Sequence, residues 1–366
     1  MQKHTTVGFG EIMLRLGPPG LKRIRQTLPG PLEATFAGAE ANVCVGICAL
    51  GGKARFVTAL PENDLTLACE ANLRGHGVDV DRILKTKQGR MGIFFVETGA
   101  NQRPSRVIYD RAESSIALAP ASEYDWDEIF RDATWLHISG ITPALSRNAA
   151  EAALQAVKAA AARNITVSCD LNFRNKLWDW EPGTSARDLA RRVMKPILEA
   201  GVHVVIGNEE DATDVLGIEA GESDVEGGRL DIARYAEVAK TIAGHFPSVT
   251  QVALTLRESI SATHNKWGAL LYDAAADKSC FAPMNDGRYQ PYEIRNIVDR
   301  VGGGDSFAAG LLFALQDEAL SGQEEILQFA VSASCLAHSI PGDFNLHQRH
   351  EVEALAKGSS SGRVVR

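Results

Sequence analysis

Apolar positions along this chain change their spacing three times. From Trp135 onward, short runs that are apolar almost throughout alternate with longer stretches of helical spacing. The runs Trp135 to Ser139, Ile165 to Asp170, Val202 to Ile206 and Val249 to Leu256 read as strands. Between them the pattern predicts helices over 148–163, with Ser146 as N-cap, from Glu209, and over 232–243. Strands of this kind are buried on both faces, so the alternation predicts βαβ units and a mostly parallel sheet. Before Trp135, Val7 to Leu14 reads as a first strand, and Ala39 to Leu50 as a buried helix stopped by Gly51-Gly52. Arg55 to Leu60 is strand-like, and Leu65 to Arg74 helical. The stretch from Gly17 to Pro31 holds too many prolines and glycines for a helix. From about 90 to 112 the spacing shortens again. Gly92 to Glu97 and Arg106 to Tyr109 read as a hairpin, which with the segment after Leu14 predicts a small sheet away from the main body.

Open parallel sheets bind ligands beyond the carboxyl ends of their strands. Asp170, Asn208 and the run Gly302-Gly303-Gly304 each follow a predicted strand or open a helix, so they are expected at one edge. The run continues into Asp305. Three glycines let successive N–H groups point into one concavity, and the positive end of a following helix makes that nest an anion site. A carboxylate beside an anion is repelled by it, unless it takes a proton from a hydroxyl while the amides hold the phosphoryl group under attack. The bland alternative is a glycine turn with Asp305 as helix N-cap.

Bulk composition narrows the classes. The 366 residues are 45% hydrophobic and 23% charged, with a net charge of −8 and no basic block, which leaves nucleic-acid binding without electrostatic support. The six cysteines are scattered and complete no zinc pattern, as expected of reduced thiols in a cytoplasmic protein. Met1 to His4 leads straight into a strand-like run, so no signal peptide is expected, and no apolar stretch reaches membrane-spanning length. There is no P-loop, and no G-x-S-x-G elbow ahead of the Gly/Ser tail, where Gly358 to Gly362 has that spacing by composition alone; Gly8-Phe9-Gly10 lacks the third glycine of a dinucleotide fingerprint.

Four motifs in order carry a resemblance: Ala37-Gly38-Ala39-Glu40-Ala41-Asn42-Val43, Asp170 to Trp178, Asn208-Glu209-Glu210-Asp211 and Asp299 to Gly310. Together they resemble the ribokinase-like (pfkB) carbohydrate kinases. Val107 to Ala112, Asp170 to Trp178 and Asp299 to Asp305 are similar to the 2-keto-3-deoxygluconate kinases within that family. The resemblance implies an α/β three-layer sandwich with a mostly parallel central sheet and a small β-sheet lid. Residues 1–355 would form one domain, with the lid at about 15–36 and 90–112, and 356–366 a flexible tail. It implies ATP and Mg²⁺ as cofactors, leaves a monovalent cation open, and suggests a homodimer paired through the lids.

The implied roles are specific. Asp305 is the catalytic base, and Gly302, Gly303 and Gly304 the anion hole. Gly38, Asn42, Tyr109, Arg111, Arg174 and Asp343 would contact substrate; Asn208, Thr255 and Arg257, with Gly302 and Gly304, would contact ATP. Asp211 would act on Mg²⁺ indirectly, although the family usually has glutamate there. Thr255 to Ser261 falls where the family carries a nucleotide-contact turn. Physics adds a reason for the substrate: a guanidinium binds a sugar acid's carboxylate through directional charged hydrogen bonds, whereas an unpaired buried cation beside a neutral sugar is costly. Alternatives are that Arg111 and Arg174 are solvated or pair with Asp110 and Asp170, that the substrate is a neutral sugar of the fructose or ribose type, and that the chain is a non-catalytic sugar or nucleotide sensor.

Overall fold

The computed structural model describes residues 4–218 and 232–358; the end of the chain from Ser359 lies outside the described residues. A nine-stranded sheet forms its centre. From one edge, its parallel part runs Lys53–Val57, Thr5–Phe9, Ala133–Ser139, Thr166–Asp170, Val204–Gly207 and Gln251–Ser261. Beyond these, His264–Asp273 and Lys278–Ala282 continue antiparallel, and Tyr292–Arg295 pairs with the start of His264–Asp273.

The parallel strands are buried on both sides, which is why they read as continuous apolar runs. One face carries the helices Arg147–Ala161, Ala186–Glu199 and Ile232–His245, whose apolar sides form one core with the sheet. The other carries Ala39–Ala49, Gly303–Leu315 and Gln323–Ala337 in a second core. The layers are therefore helix, sheet, helix. Local signals set the helix ends: Ser146 Oγ accepts the Ala149 N–H at 3.1 Å, and Gly51 follows Ala39–Ala49 at φ +96°.

The chain enters the sheet at Thr5–Phe9, turns to Lys53–Val57 on one side and later to Ala133–Ser139 on the other. The carboxyl ends around this reversal open a crevice, into which the N-termini of Ala39–Ala49 and Gly303–Leu315 also lead. Over the crevice lies a separate four-stranded sheet in the order Glu33–Ala37, Met13–Gly17, Gly92–Glu97, Arg106–Asp110. No helix of the described residues is long and apolar enough to cross a membrane. All six cysteines are free, and four are buried.

Three expectations need correction. The run Val7 to Leu14 is not one strand. It splits at Gly10-Glu11-Ile12 into Thr5–Phe9 of the central sheet and Met13–Gly17 of the small one, and the Glu40 carboxyl fills the space that a side chain at Gly10 would need. The stretch 17–31 does contain one short helix, Ile24–Thr27. The supposed nucleotide-contact turn at Thr255 to Ser261 is strand, with a register shift between Ser259 and Ser261; the chain reverses after Ser261 and pairs back along His264–Asp273.

Candidate active site

The nest forms as its glycines dictate. Gly302 is the residue before the first helical one, at φ +82°, and a side chain there would stand 2.5 Å from the Asp343 carbonyl oxygen. A Cβ on Gly303 would press on the His338 ring at 3.1 Å, while one on Gly304 would meet nothing within 4 Å. Gly302 is thus demanded by the fold, whereas Gly304 leaves open space above the helix end. Behind the turn, Asp299 accepts the N–H groups of Arg300 (2.8 Å) and Val301 (3.1 Å). The next amides, at the start of Gly303–Leu315, have no carbonyl of their own helix to bond.

Asp305 stands in the first turn of that helix, not at its cap, so the bland N-cap reading does not hold. Its Oδ2 accepts a hydrogen bond from Asn42 Nδ2 at 2.6 Å, and among the described residues no other side chain bonds it. Asn42 is itself fixed, its Oδ1 accepting the Gly38 N–H at 3.2 Å. Burial raises the Asp305 carboxyl above its usual range, against the lowering effects of Asn42 and Arg174. Asp170 is raised further by burial and by Asp211 and Asp305. Burial lifts Asp211 to about 6. Its oxygens accept the N–H groups of Phe173 (2.9 Å) and Asn208 (3.2 Å), and Asn208 Oδ1 returns a bond to the Asp211 N–H at 2.9 Å. A crowd of acids this close favours a cationic partner.

All of these groups line one cavity of about 470 Å³, and so does every site residue expected from the sequence: Gly38, Asn42, Tyr109, Arg111, Arg174, Asn208, Asp211, Thr255, Arg257, Gly302, Gly303, Gly304, Asp305 and Asp343. Thr255 Oγ1 caps the Gly207 carbonyl at 3.4 Å. Arg174 is exposed and forms no ion pair among the described residues, although its field lowers Asp170, Asp211 and Asp305. Arg111 is neither solvated nor paired with Asp110, which Arg90 takes instead. It is buried against Glu11 in an ion pair, and packs on the Tyr109 ring with 5.3 Å from guanidinium carbon to ring centre. The pair is incomplete. Arg111 Nε and Glu11 Oε1 are both buried without a partner, a donor and an acceptor left over on one wall of the cavity.

Sequence reasoning missed Glu11, Arg15 and Arg300. Arg15 is buried in Met13–Gly17 and bridges Asp299 to Asp343 in two ion pairs, so Asp343 is no plain loop acid. Burial lifts Asp343 to about 6 in spite of Arg15. The alternation around Arg15 misleads: Leu14 and Leu16 look like the inward face, yet Met13 and Arg15 are the more buried. Glu11 lies in the link between the two sheets, a link the apolar run concealed.

Comparison with known proteins agrees with this architecture. The family model described as "pfkB family carbohydrate kinase" matches residues 6–345. A 2-dehydro-3-deoxygluconokinase structure from Thermotoga maritima is 42% identical and superimposes with a TM-score of 0.86 over 97% of this chain and 100% of that one. A 2-dehydro-3-deoxygalactonokinase of Haloferax volcanii is 30% identical over 97% of this chain and 98% of its own length. A 2-dehydro-3-deoxygluconokinase of Thermoproteus tenax is 28% identical over 94% of each. With the glycine nest, the acid at its mouth and the three-layer fold in place, the chain belongs to the pfkB family of carbohydrate kinases.

Proposed function

We propose that the protein is an ATP-dependent sugar-acid kinase that phosphorylates the primary hydroxyl of 2-keto-3-deoxygluconate (2-dehydro-3-deoxygluconate), giving 2-keto-3-deoxy-6-phosphogluconate. One observation carries the reading: a single cavity is lined both by Asp305 at the mouth of an anion nest and by a buried arginine with an unused donor. The names of the similar proteins support the substrate class.

The amides from Gly302 to Asp305 hold the terminal phosphoryl group of ATP. Asp305 takes the proton of the sugar's O6 as that oxygen bonds to phosphorus and the bond to the ADP oxygen breaks. Asn42 keeps one carboxylate oxygen occupied, so the other serves the hydroxyl. On the sugar side, Arg111 meets the acid's carboxylate and Glu11 a hydroxyl, with Gly38, Tyr109, Arg174 and Asp343 completing the contacts. Asn208, Thr255 and Arg257 lie along the nucleotide. Mg²⁺ fits the residues present. Among the described residues no group of three ligands could hold a metal alone, which suits an ion carried mainly by phosphates and water, with Asp211 and Asn208 orienting that water. When bound, Mg²⁺ neutralises phosphate charge. The reading includes no monovalent cation, since Arg15 already serves Asp299 and Asp343.

The small sheet acts as a lid that excludes water and so limits ATP hydrolysis. Its edge strand Arg106–Asp110 leaves Val107, Ile108 and Tyr109 exposed, and two copies would pair along this edge. As an ATP consumer with free thiols, the enzyme would work in the cytoplasm. A second reading, a neutral-sugar kinase, is favoured by one fact: Glu11 already compensates the charge of Arg111. ADP release measured with 2-keto-3-deoxygluconate, its galactonate epimer, fructose, ribose and gluconate separates them. Turnover confined to the deoxy keto acids supports the proposal; preference for fructose or ribose overturns it.

A further inference from the structure

Arg300, which precedes the nest by two residues, belongs to no role described so far. Its guanidinium is held against the hairpin, donating to Asn265 Oδ1 at 2.6 Å and lying 3.4 Å from Ser259 Oγ. Ser259 and Asn265 face each other across the two strands, and Arg257 is paired with Trp267 two residues back. Arg257 and Ser259 therefore share one side of the strand, about 7 Å apart along it. The charge of Arg257 is felt at Arg300, and both residues line the cavity.

Among the described residues neither arginine forms an ion pair; Glu210, exposed at the cavity, is in salt-bridge contact with neither, and three further carboxylates are engaged elsewhere. Glu258 holds Lys266 at 2.9 Å, Glu293 holds Arg295 at 2.7 Å and His264 at 3.0 Å, and Asp299 holds Arg15. Asp299 also accepts the Arg300 N–H, but through the backbone. The side chain fixing Arg300 is a buried neutral amide, Asn265, 1% exposed, where a carboxylate would have neutralised it. Burial and the field of Arg257 push the Arg300 guanidinium below its usual value. Two adjoining guanidiniums of which one is half-buried are costly alone and favourable around an anion.

We infer that Arg257 and Arg300 form a two-guanidinium seat for the polyphosphate chain of the nucleotide, with Asn265 as the residue that positions Arg300. The inference rests on the kinase reading for the identity of the anion. A triphosphate with Mg²⁺ keeps a double negative charge, which two guanidiniums match, and guanidinium binds phosphate oxygens in pairs. The seat adjoins the nest, so the terminal phosphate lies on the amides while the inner phosphates lie against the arginines. The sugar acid has its own arginine, Arg111, in the small sheet that covers the crevice.

Calorimetric binding of MgATP, MgADP and AMP to the wild type, Arg300→Gln and Asn265→Asp tests this, with circular dichroism to show that each variant is folded. Asn265→Asp is nearly isosteric and places a carboxylate on Arg300. Both variants are expected to weaken MgATP and MgADP about 10–100-fold, to change AMP less than threefold, and to leave the KM of the sugar acid unaltered. Arg300→Lys is expected to fall between. MgATP affinity within twofold of wild type in folded Arg300→Gln overturns the seat, whatever the sugar. If MgATP binding depends on Arg300 but no sugar is phosphorylated, the seat is supported and the kinase reading fails. A wild type that binds no MgATP overturns both.

Discussion

The two walls of the cavity treat positive charge differently. Under the small sheet, Arg111 is buried and paired with Glu11, and Arg15 behind it is buried between two carboxylates. Beside the hairpin, Arg257 and Arg300 have no such partners among the described residues. Buried cations held by carboxylates fix geometry, so the first wall is shaped before any ligand arrives. Guanidiniums without carboxylate partners suit a ligand that brings the charge, so on the proposed reading the second wall would favour polyanions. A hydroxyl acid and a nucleotide would then be told apart by charge balance as much as by shape, with Asp305 between them.

The comparison breaks most sharply at Asp305, which both walls serve. Asp305→Asn should lower kcat roughly 10²–10⁴-fold while MgATP and sugar-acid affinities stay within about threefold. A kcat within threefold of wild type removes the base from the account. Next comes the first wall. Arg111→Gln made together with Glu11→Gln avoids leaving a buried carboxylate alone, and should raise the KM of the sugar acid about 10–100-fold with little effect on fructose. Equal effects on both sugars would show that the pair shapes the wall without reading the acid.

Smaller effects separate fold from chemistry in the nest. Gly304→Ala meets open space, so its melting temperature should match wild type while kcat/KM for ATP falls about tenfold as the methyl group crowds the phosphoryl position. Gly302→Ala should instead cost about 1–3 kcal/mol of stability, because it forces a side chain into a left-handed turn against the Asp343 carbonyl. If Gly304→Ala melted as low as Gly302→Ala, the contrast would be lost.

The smallest effect is a slope. Glu40 lies buried beneath both walls, its Oε1 accepting from the Ser139 N–H (2.9 Å), Ser139 Oγ (2.7 Å) and Thr142 Oγ1 (3.1 Å), with Oε2 unpartnered. Burial lifts it from 4.5 to about 7. Between those values the unfolded chain releases a proton that the folded protein keeps, so this group lowers stability as pH rises through the window and adds no slope above it. Glu40→Gln should flatten the fall in melting temperature between pH 5 and 7. Parallel slopes for the two proteins would contradict the assignment.

Much of the parallel sheet was legible because strands buried on both faces are written as unbroken apolar runs. The nest was legible because few other sequences place three glycines and an acid at a helix start. The small sheet followed from the shorter β-type runs near 92 and 106. What stayed hidden were partners distant in sequence. Glu11 and Arg111 are a hundred residues apart, and Arg15 reaches Asp299 and Asp343 across most of the chain. No local pattern encodes such a pair, and the apolar neighbours of Arg15 point away from it. Arg300 lies inside the glycine motif, but its partners Ser259 and Asn265 lie on a hairpin whose first strand was expected to hold a turn.

The central claim is phosphoryl transfer by Asp305 from nucleotide to sugar acid. Its most direct test is ³¹P NMR of the products formed from ATP and 2-keto-3-deoxygluconate by the wild type and by Asp305→Asn at equal concentration. The account predicts a primary phosphate monoester on C6 growing with ADP in the wild type, and slower by at least about a hundredfold in the variant. Equal rates in the two proteins, or ADP appearing with free phosphate and no ester, would contradict it.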